Sequence, residues 1–141
     1  MPEKNQIYTA EITGLTSEGS GVCRIDNMAI FVPETAVGDV ADIKIVKVLS
    51  SYGFGIVDKL ITPSPDREIR ECAVYKKCGG CVYRHISYQK ETEIKAEQVF
   101  HNVKAIGKTP FEEEKPLVNA NRIDRYRNKG QYPVSVDSNG N

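Results

Sequence analysis

The sequence predicts a mainly β chain: a five-stranded barrel of the OB kind, then a cysteine-rich metal loop, one helix, and the opening of an α/β domain. Three observations carry that expectation. Over residues 6–62, short β-branched runs alternate apolar and polar residues between Gly, Ser and Pro turns, which is the period of half-buried strands. Three of the four cysteines then fall between positions 72 and 81. Beyond them a helical periodicity runs from Tyr88 to Ile106, and strand-like residues return over Arg125–Val136.

The first strand is QIYTAEITGL, and SEGSGVCRID turns on Gly and Ser into the second. MAIFVPE is the third, ended by Pro33, and Val37-Gly38-Asp39 turns the chain into VADIKIVKVL, the fourth. GFGIVDKLI, after Ser50-Ser51-Tyr52-Gly53, is the fifth. Five short antiparallel strands in about sixty residues are best protected by closing on one another, since a small barrel leaves few edges open.

Two prolines in Thr62-Pro63-Ser64-Pro65 bar a central strand and set the first boundary. This gives a barrel at 1–62, a linker and cysteine loop at 63–87, and a helix with the beginning of a further domain at 88–141. Ser87 is placed to cap a helix in which Tyr88, Thr92, Ala96, Val99, Val103 and Ile106 recur every three or four residues, with Gly107 to end it. TPFEEEKPLVNANR reads as a polar surface excursion, with Glu112–Glu114 a solvated acidic run. Asn139-Gly140 is a hairpin turn without a return strand, so the chain is expected to be cut from something longer.

At 141 residues, 40% hydrophobic and 27% charged, the composition is that of a soluble globular protein. The 19 basic and 19 acidic residues cancel, which excludes a uniformly basic surface. Residues 1–62 hold five Lys/Arg against eight Asp/Glu, so the positive excess belongs to the rest of the chain. If the partner is a polyanion, the second part attracts it by charge while the first uses shape, aromatic rings and backbone donors. No run approaches the roughly 18 apolar residues of a membrane span, and the first residues do not read as a secretory leader. A cytoplasmic monomer is expected, with no membrane partner.

In a reducing compartment, clustered cysteines are metal ligands or free thiols more often than disulfides. Cys72, Cys78 and Cys81 have the spacing C-x5-C-x2-C, with Gly79-Gly80 between the last two. Glycine supplies the tight backbone that lets amide groups face sulfur, and Lys76, Lys77 and Arg84 add positive charge where no acidic residue stands between Cys72 and Tyr88. The fourth ligand divides the readings. A 4Fe-4S cluster needs another cysteine, whereas zinc is served by His85 in C-x5-C-x2-C-x3-H. Cys23, in an alternating apolar strand, reads as a small core residue.

The stretch ITGLTSEGSGVCRIDNMAIFVPETAVGDVADIKI resembles the TRAM domain, and ECAVYKKCGGCVYRHISY resembles the iron-sulfur motif of bacterial RNA uracil-5-methyltransferases. RYRNKGQYPV is similar to the segment that begins the central domain of the same family, and the three occur in the family's order. The resemblance implies a 4Fe-4S cluster on Cys72, Cys78 and Cys81, its fourth cysteine lying outside this chain. It also implies a parent that uses S-adenosylmethionine to methylate carbon 5 of a uridine in ribosomal or transfer RNA, more often ribosomal. In that chemistry a thiolate adds to carbon 6, and a base later removes the carbon-5 proton. The residues here contain no methyl-donor loop and no spare nucleophile, so this chain is expected to bind RNA and to catalyse nothing. The class-different alternative is an adaptor, barrel plus zinc knuckle, without catalysis.

The candidate RNA contacts are Lys76, Lys77 and Arg84 on the loop, and Arg125, Arg127 and Lys129, which share one face if they lie on a strand. Phe31, Tyr52 and Phe54 are placed either to stack on unpaired bases or to pack, and Arg24 either meets phosphate or is solvated.

Overall fold

The computed structural model describes residues 1–69, 71–110, 117–131, 134 and 136, and of Lys76 the backbone. The acidic run Glu112–Glu114 and the Asn139-Gly140 turn lie outside the described residues.

Six strands form one sheet: β1 Ile7–Glu11, β2 Gly14–Leu15, β3 Gly21–Ile25, β4 Met28–Val32, β5 Val40–Val48 and β6 Tyr52–Thr62. Their order is β1-β5-β6-β4-β3-β2, and only β4 and β6 run parallel. The expected first strand is thus two, divided at Ile12 and Thr13. There the Ile12 amide donates to the Asp39 carbonyl at 2.8 Å and the Thr13 amide to the Val22 carbonyl at 2.9 Å. Pairing passes from the β5 side to β3 within one residue, so the two edges of the sheet are consecutive pieces of one segment. The sheet curls on itself and hides its edges without forming an unbroken ring of ladder bonds.

Period two decides the core. Ile12, Cys23, Ile25, Met28, Ile30, Val32, Ala41, Ile43 and Ile45 are buried together, and their neighbours along each strand face outward. On β6 the inward positions are Gly53 and Gly55. A Cβ on Gly55 would stand 2.4 Å from Ile43 Cγ2, so the missing side chains make room for the isoleucines opposite. Asp26 and Asn27 turn the β3–β4 hairpin with φ of 48° and 65°, the left-handed pair that matches strand twist.

A second core joins the barrel to the cysteine loop and the helix after it: Leu15 and Ala36 pack with Tyr83, Ile86 and Ile94. One helical turn, α1 Tyr75–Cys78, lies in the cysteine loop, and α2 spans Tyr88–His101. Ser87 Oγ accepts from the Lys90 amide, as a cap should. The helix continues as a π stretch, Asn102–Ile106, closed by the Gly107 amide on the Asn102 carbonyl at 2.8 Å. Its packed face matches the expected stripe only in its first turns, where Tyr88 and Ala96 are half-buried and Thr92 buried. Thr92 and Ile94 are the buried residues of α2, whereas Val99 and Ile106 are 53% and 72% exposed. Gln98 also ties α2 to the barrel, donating to the Thr16 carbonyl at 3.2 Å.

The strand expected over Arg125–Val136 is absent among the described residues, which are irregular there. Arg125 has φ of 53°, incompatible with extension, and no neighbouring strand offers it a ladder. No described helix is long and apolar enough to cross a membrane.

Candidate functional site

The cysteine loop is held against the barrel by three features. Gly19 has φ of +78°, and a Cβ there would fall 2.1 Å from Val82 Cγ1, so the loop crosses the barrel at a point with no room for a side chain. Tyr83, buried, directs its hydroxyl to the Thr16 and Ser17 carbonyls at 3.3 and 3.4 Å. His85, also buried, lies between the Thr35 carbonyl, 3.0 Å from Nε2, and the Tyr75 hydroxyl, 3.0 Å from Nδ1.

That arrangement fixes the imidazole. A carbonyl only accepts, so Nε2 carries the proton and Nδ1 accepts from Tyr75. Burial lowers the His85 pKa, as does the Arg67 charge, against the opposing Thr35 bond and the Asp39 and Glu34 carboxylates. Both ring nitrogens of His85 are thus engaged in hydrogen bonds in this structure.

Cys72, Cys78 and Cys81 are all exposed. Gly79, at φ of 65°, ends α1 in the left-handed conformation and reverses the chain between Cys78 and Cys81. Gly80 leaves space beside the Cys78 sulfur, which a Cβ would approach to 3.3 Å. Among the described residues no three Cys, His, Asp or Glu side chains are gathered closely enough to bind a metal ion, so the sulfurs would have to converge to hold one. Cys23 is no candidate fourth ligand. It is fully buried in the barrel core, and burial pushes its thiol up to about 11.

Cys78 and Cys81 face a cleft of about 760 Å³ whose opposite wall is the segment 120–127. Arg84, Arg122, Arg125 and Arg127 all line it. Arg84 is the most constrained of them: Nη1 meets Asp124 Oδ1 at 3.2 Å and Nη2 donates to the Glu71 carbonyl at 3.1 Å. Its Nε is buried without a partner, the one such side-chain atom among the described residues.

The expected contacts are therefore sorted by geometry rather than by strand alternation. Arg84, Arg125 and Arg127 come together, whereas Lys129 is outside the cleft lining. Lys77 is exposed on α1 away from that lining, and the side chain of Lys76 lies outside the described residues. Arg122 was missed by the alternation of 125, 127 and 129, although it belongs to the same basic run, NRIDRYRNK.

Residues 3–57 match the TRAM domain family. An uncharacterized RNA methyltransferase of Halalkalibacterium halodurans is 39% identical over 137 residues, covering 97% of this chain and 30% of that protein. Another, of Listeria monocytogenes, is 43% identical over 132 residues, covering 94% of this chain and 29% of that protein. Among solved structures, Pyrococcus abyssi tRNA (uracil-54, C5)-methyltransferase in complex with S-adenosyl-L-homocysteine is 27% identical, covers 70% of this chain and 21% of that one, and superposes with a TM-score of 0.47. The chain spans about three tenths of the length of the curated relatives it matches. By these matches residues 3–57 carry a TRAM domain, and almost the whole chain is similar to one part of proteins named RNA methyltransferases.

Proposed function

We propose that this chain is the RNA-recognising N-terminal part of a cytoplasmic, monomeric enzyme that methylates carbon 5 of a uridine, using S-adenosylmethionine and acting on ribosomal rather than transfer RNA. The observation that carries the reading is the docking of a cysteine loop onto a TRAM barrel, with a cleft between the loop and the segment 120–127 that Arg84, Arg122, Arg125 and Arg127 line. Each half has its own part in recognition. The barrel and the cleft supply RNA affinity away from the reacting base, which an enzyme that must unstack its target needs. Residues 1–62 serve as the barrel, 63–87 as the linker and loop, and 88–141 as the helix and the start of the domain that leads to catalysis.

Cys72, Cys78 and Cys81 would hold a 4Fe-4S cluster, with a fourth cysteine supplied from the remainder of the parent. Exposed thiols and a glycine-reversed backbone support metal binding by the loop, and the resemblance of ECAVYKKCGGCVYRHISY to the iron-sulfur motif favours a cluster over zinc. Methyl transfer needs no redox step, so the cluster's contribution would be to pin the loop. With the sulfurs drawn together, Lys77 and Arg84 are held toward phosphate, and Lys76 belongs to the same proposed contact.

The test is methylation by the full-length enzyme. Unmodified ribosomal and transfer RNA are incubated with methyl-labelled S-adenosylmethionine and digested to nucleosides. Label in 5-methyluridine from ribosomal RNA is the expected result. Label in another nucleoside overturns the uracil-5 reading, and label from transfer RNA alone overturns the choice of substrate.

A further inference from the structure

On the outer face of the barrel, away from both loop and cleft, three aromatic rings stand together. Phe31 of β4 is in register with Phe54 of β6, and Ala29 with Tyr52. The ring centroids of Phe31, Tyr52 and Phe54 are 5.6 to 5.8 Å apart, edge-on or tilted. Their strand neighbours Ile30, Gly53 and Gly55 are buried inward, so period two turns the rings outward. Tyr52 and Phe54 are 37% and 38% exposed, and Ile56, next along the same face, is 46% exposed. Rings at this spacing gain from one another, yet that gain does not require them to lie on the surface.

The charged residues in register with them are basic. Lys47 is the register partner of Phe54 and Lys44 that of Ile56, while Arg24 lies across Ala29 from Tyr52. Among the described residues neither lysine is ion-paired. Asp42, on the same face of β5, is engaged by the Thr9 hydroxyl at 2.6 Å. The barrel segment as a whole has an acidic excess, so this basic rim is local. Flat rings edged by lysines match a ligand that has π faces and phosphates. A duplex hides its π faces, which leaves an unpaired strand.

Barrel topology independently points to the same surface. OB folds take oligonucleotides on the face of their second and third strands and on the loops joining strands one to two and four to five. With residues 7–15 counted as one bent strand, Phe31 lies on the third, and Tyr52 opens the fifth directly after the joining loop. We propose that Phe31, Tyr52 and Phe54 form a stacking platform for unpaired RNA bases, with Lys44 and Lys47 meeting the adjacent phosphates. This rests on the RNA-binding reading above and deepens it. Because every base has a π face, the platform adds affinity for single-stranded flanks and leaves the choice of uridine to the catalytic part.

The test uses the whole chain, a labelled single-stranded RNA of mixed sequence and the same sequence as a duplex, with fluorescence anisotropy across a salt series. Tyr52→Leu and Phe54→Leu keep an apolar side chain on the face but remove the π surface. Each is expected to weaken single-strand binding about tenfold and to leave duplex binding unchanged. Lys44→Ala with Lys47→Ala should flatten the single-strand slope of log K against log salt by about 1.4. Single-strand binding equal to wild type in both leucine variants overturns the platform and leaves the RNA-binding reading intact, and so does an equal loss for strand and duplex. A wild-type chain that binds neither RNA overturns both. Should the variants fail to fold, ring-proton resonances of Phe31, Tyr52 and Phe54 in the wild-type chain decide. Upfield movement on adding the single strand supports stacking, and unmoved resonances overturn it.

Discussion

Arg67 grips Asp39 with a two-pronged fork, Nε to Oδ1 and Nη2 to Oδ2, each at 2.8 Å. Asp39 is fully buried and also accepts from the Ala36 amide at 2.6 Å and the Ser64 amide at 2.8 Å, while Arg67 Nη2 reaches the Glu34 carbonyl. Four donors on one carboxylate offset its desolvation. The pair ties the turn before β5 to the segment after β6, so the proline-rich stretch between barrel and loop is anchored.

Removing either partner leaves the other charge stranded. Asp39→Ala is expected to cost about 3–5 kcal/mol in urea denaturation, the range for breaking a buried pair from one side. Arg67→Ala should cost a comparable amount, since it leaves the fully buried Asp39 carboxylate with only the Ala36 and Ser64 amides, whereas Asp39→Ala strands a guanidinium that is 24% exposed. A loss below about 1 kcal/mol for Asp39→Ala would mean that the fork is incidental.

Acid should loosen the same junction in two stages. His85 has a lowered pKa, chiefly through burial. The unfolded chain therefore binds a proton more readily, and this contribution to stability is full above the ordinary value of 6.5 and is lost as pH falls below it. Asp39 is pulled up by desolvation, but the Arg67, Ala36 and Ser64 bonds outweigh that and lower it. Its contribution is full above the ordinary 3.8 and is lost as pH falls through the lowered folded value. Denaturation at pH 7.5 and 5.5 should show a drop in the wild type that His85→Gln, whose amide can still donate to Thr35, largely removes. An undiminished drop in that variant would assign the effect to another group.

These two contacts also mark what the sequence could and could not reveal. The strands were legible because alternation is local, and the cap on α2 was legible because Ser87 acts on an amide three residues away. The break at Ile12 and Thr13 was not, since both residues suit a strand and only the transfer of pairing from β5 to β3 divides them. Asp39 looked like a turn residue because its partner is 28 positions away. The packed face of α2 was legible only in part for a related reason: the stripe gave Thr92, but the helix also packs through Ile94 and bonds through Gln98, which only the position of the barrel decides. For the cysteine loop the spacing was plain, whereas the role of His85 depended on Thr35, fifty residues earlier.

Thiol accessibility separates core from loop without any metal. Cys72, Cys78 and Cys81 are exposed, while Cys23 is buried with its pKa raised to about 11. In the metal-free chain, three thiols should react promptly with an aromatic disulfide reagent and the fourth only on unfolding. Four prompt thiols would contradict the barrel core. After anaerobic reconstitution with iron and sulfide, retarded reaction of the loop thiols alone is the outcome expected if they bind a cluster.

Gly19 and Val82 should be coupled. Gly19→Ala introduces a Cβ 2.1 Å from Val82 Cγ1 at a φ of +78°, so it incurs both overlap and backbone strain. Overpacking costs about 1–3 kcal/mol and the left-handed conformation about 1 more. Val82→Ala should recover the overlap but not the strain. A double-mutant cycle is expected to give a favourable coupling of about 1 kcal/mol or more, and simple additivity would mean that the loop does not rest on the barrel at this point.

The cleft sets a different test for the basic run. On an alternating strand, Arg125, Arg127 and Lys129 would be equivalent, but the irregular backbone lines the cleft with the first two and leaves the third outside. Counterion release makes that distinction measurable, because removing one charge that meets a phosphate of single-stranded RNA flattens the slope of log K against log salt by about 0.7. Arg125→Ala with Arg127→Ala should therefore reduce the slope by about 1.4, and Lys129→Ala should leave it close to wild type. If Lys129→Ala lowers the slope as much as either arginine variant alone, then charge rather than position governs binding, and the cleft has no part in selecting which residues meet the RNA.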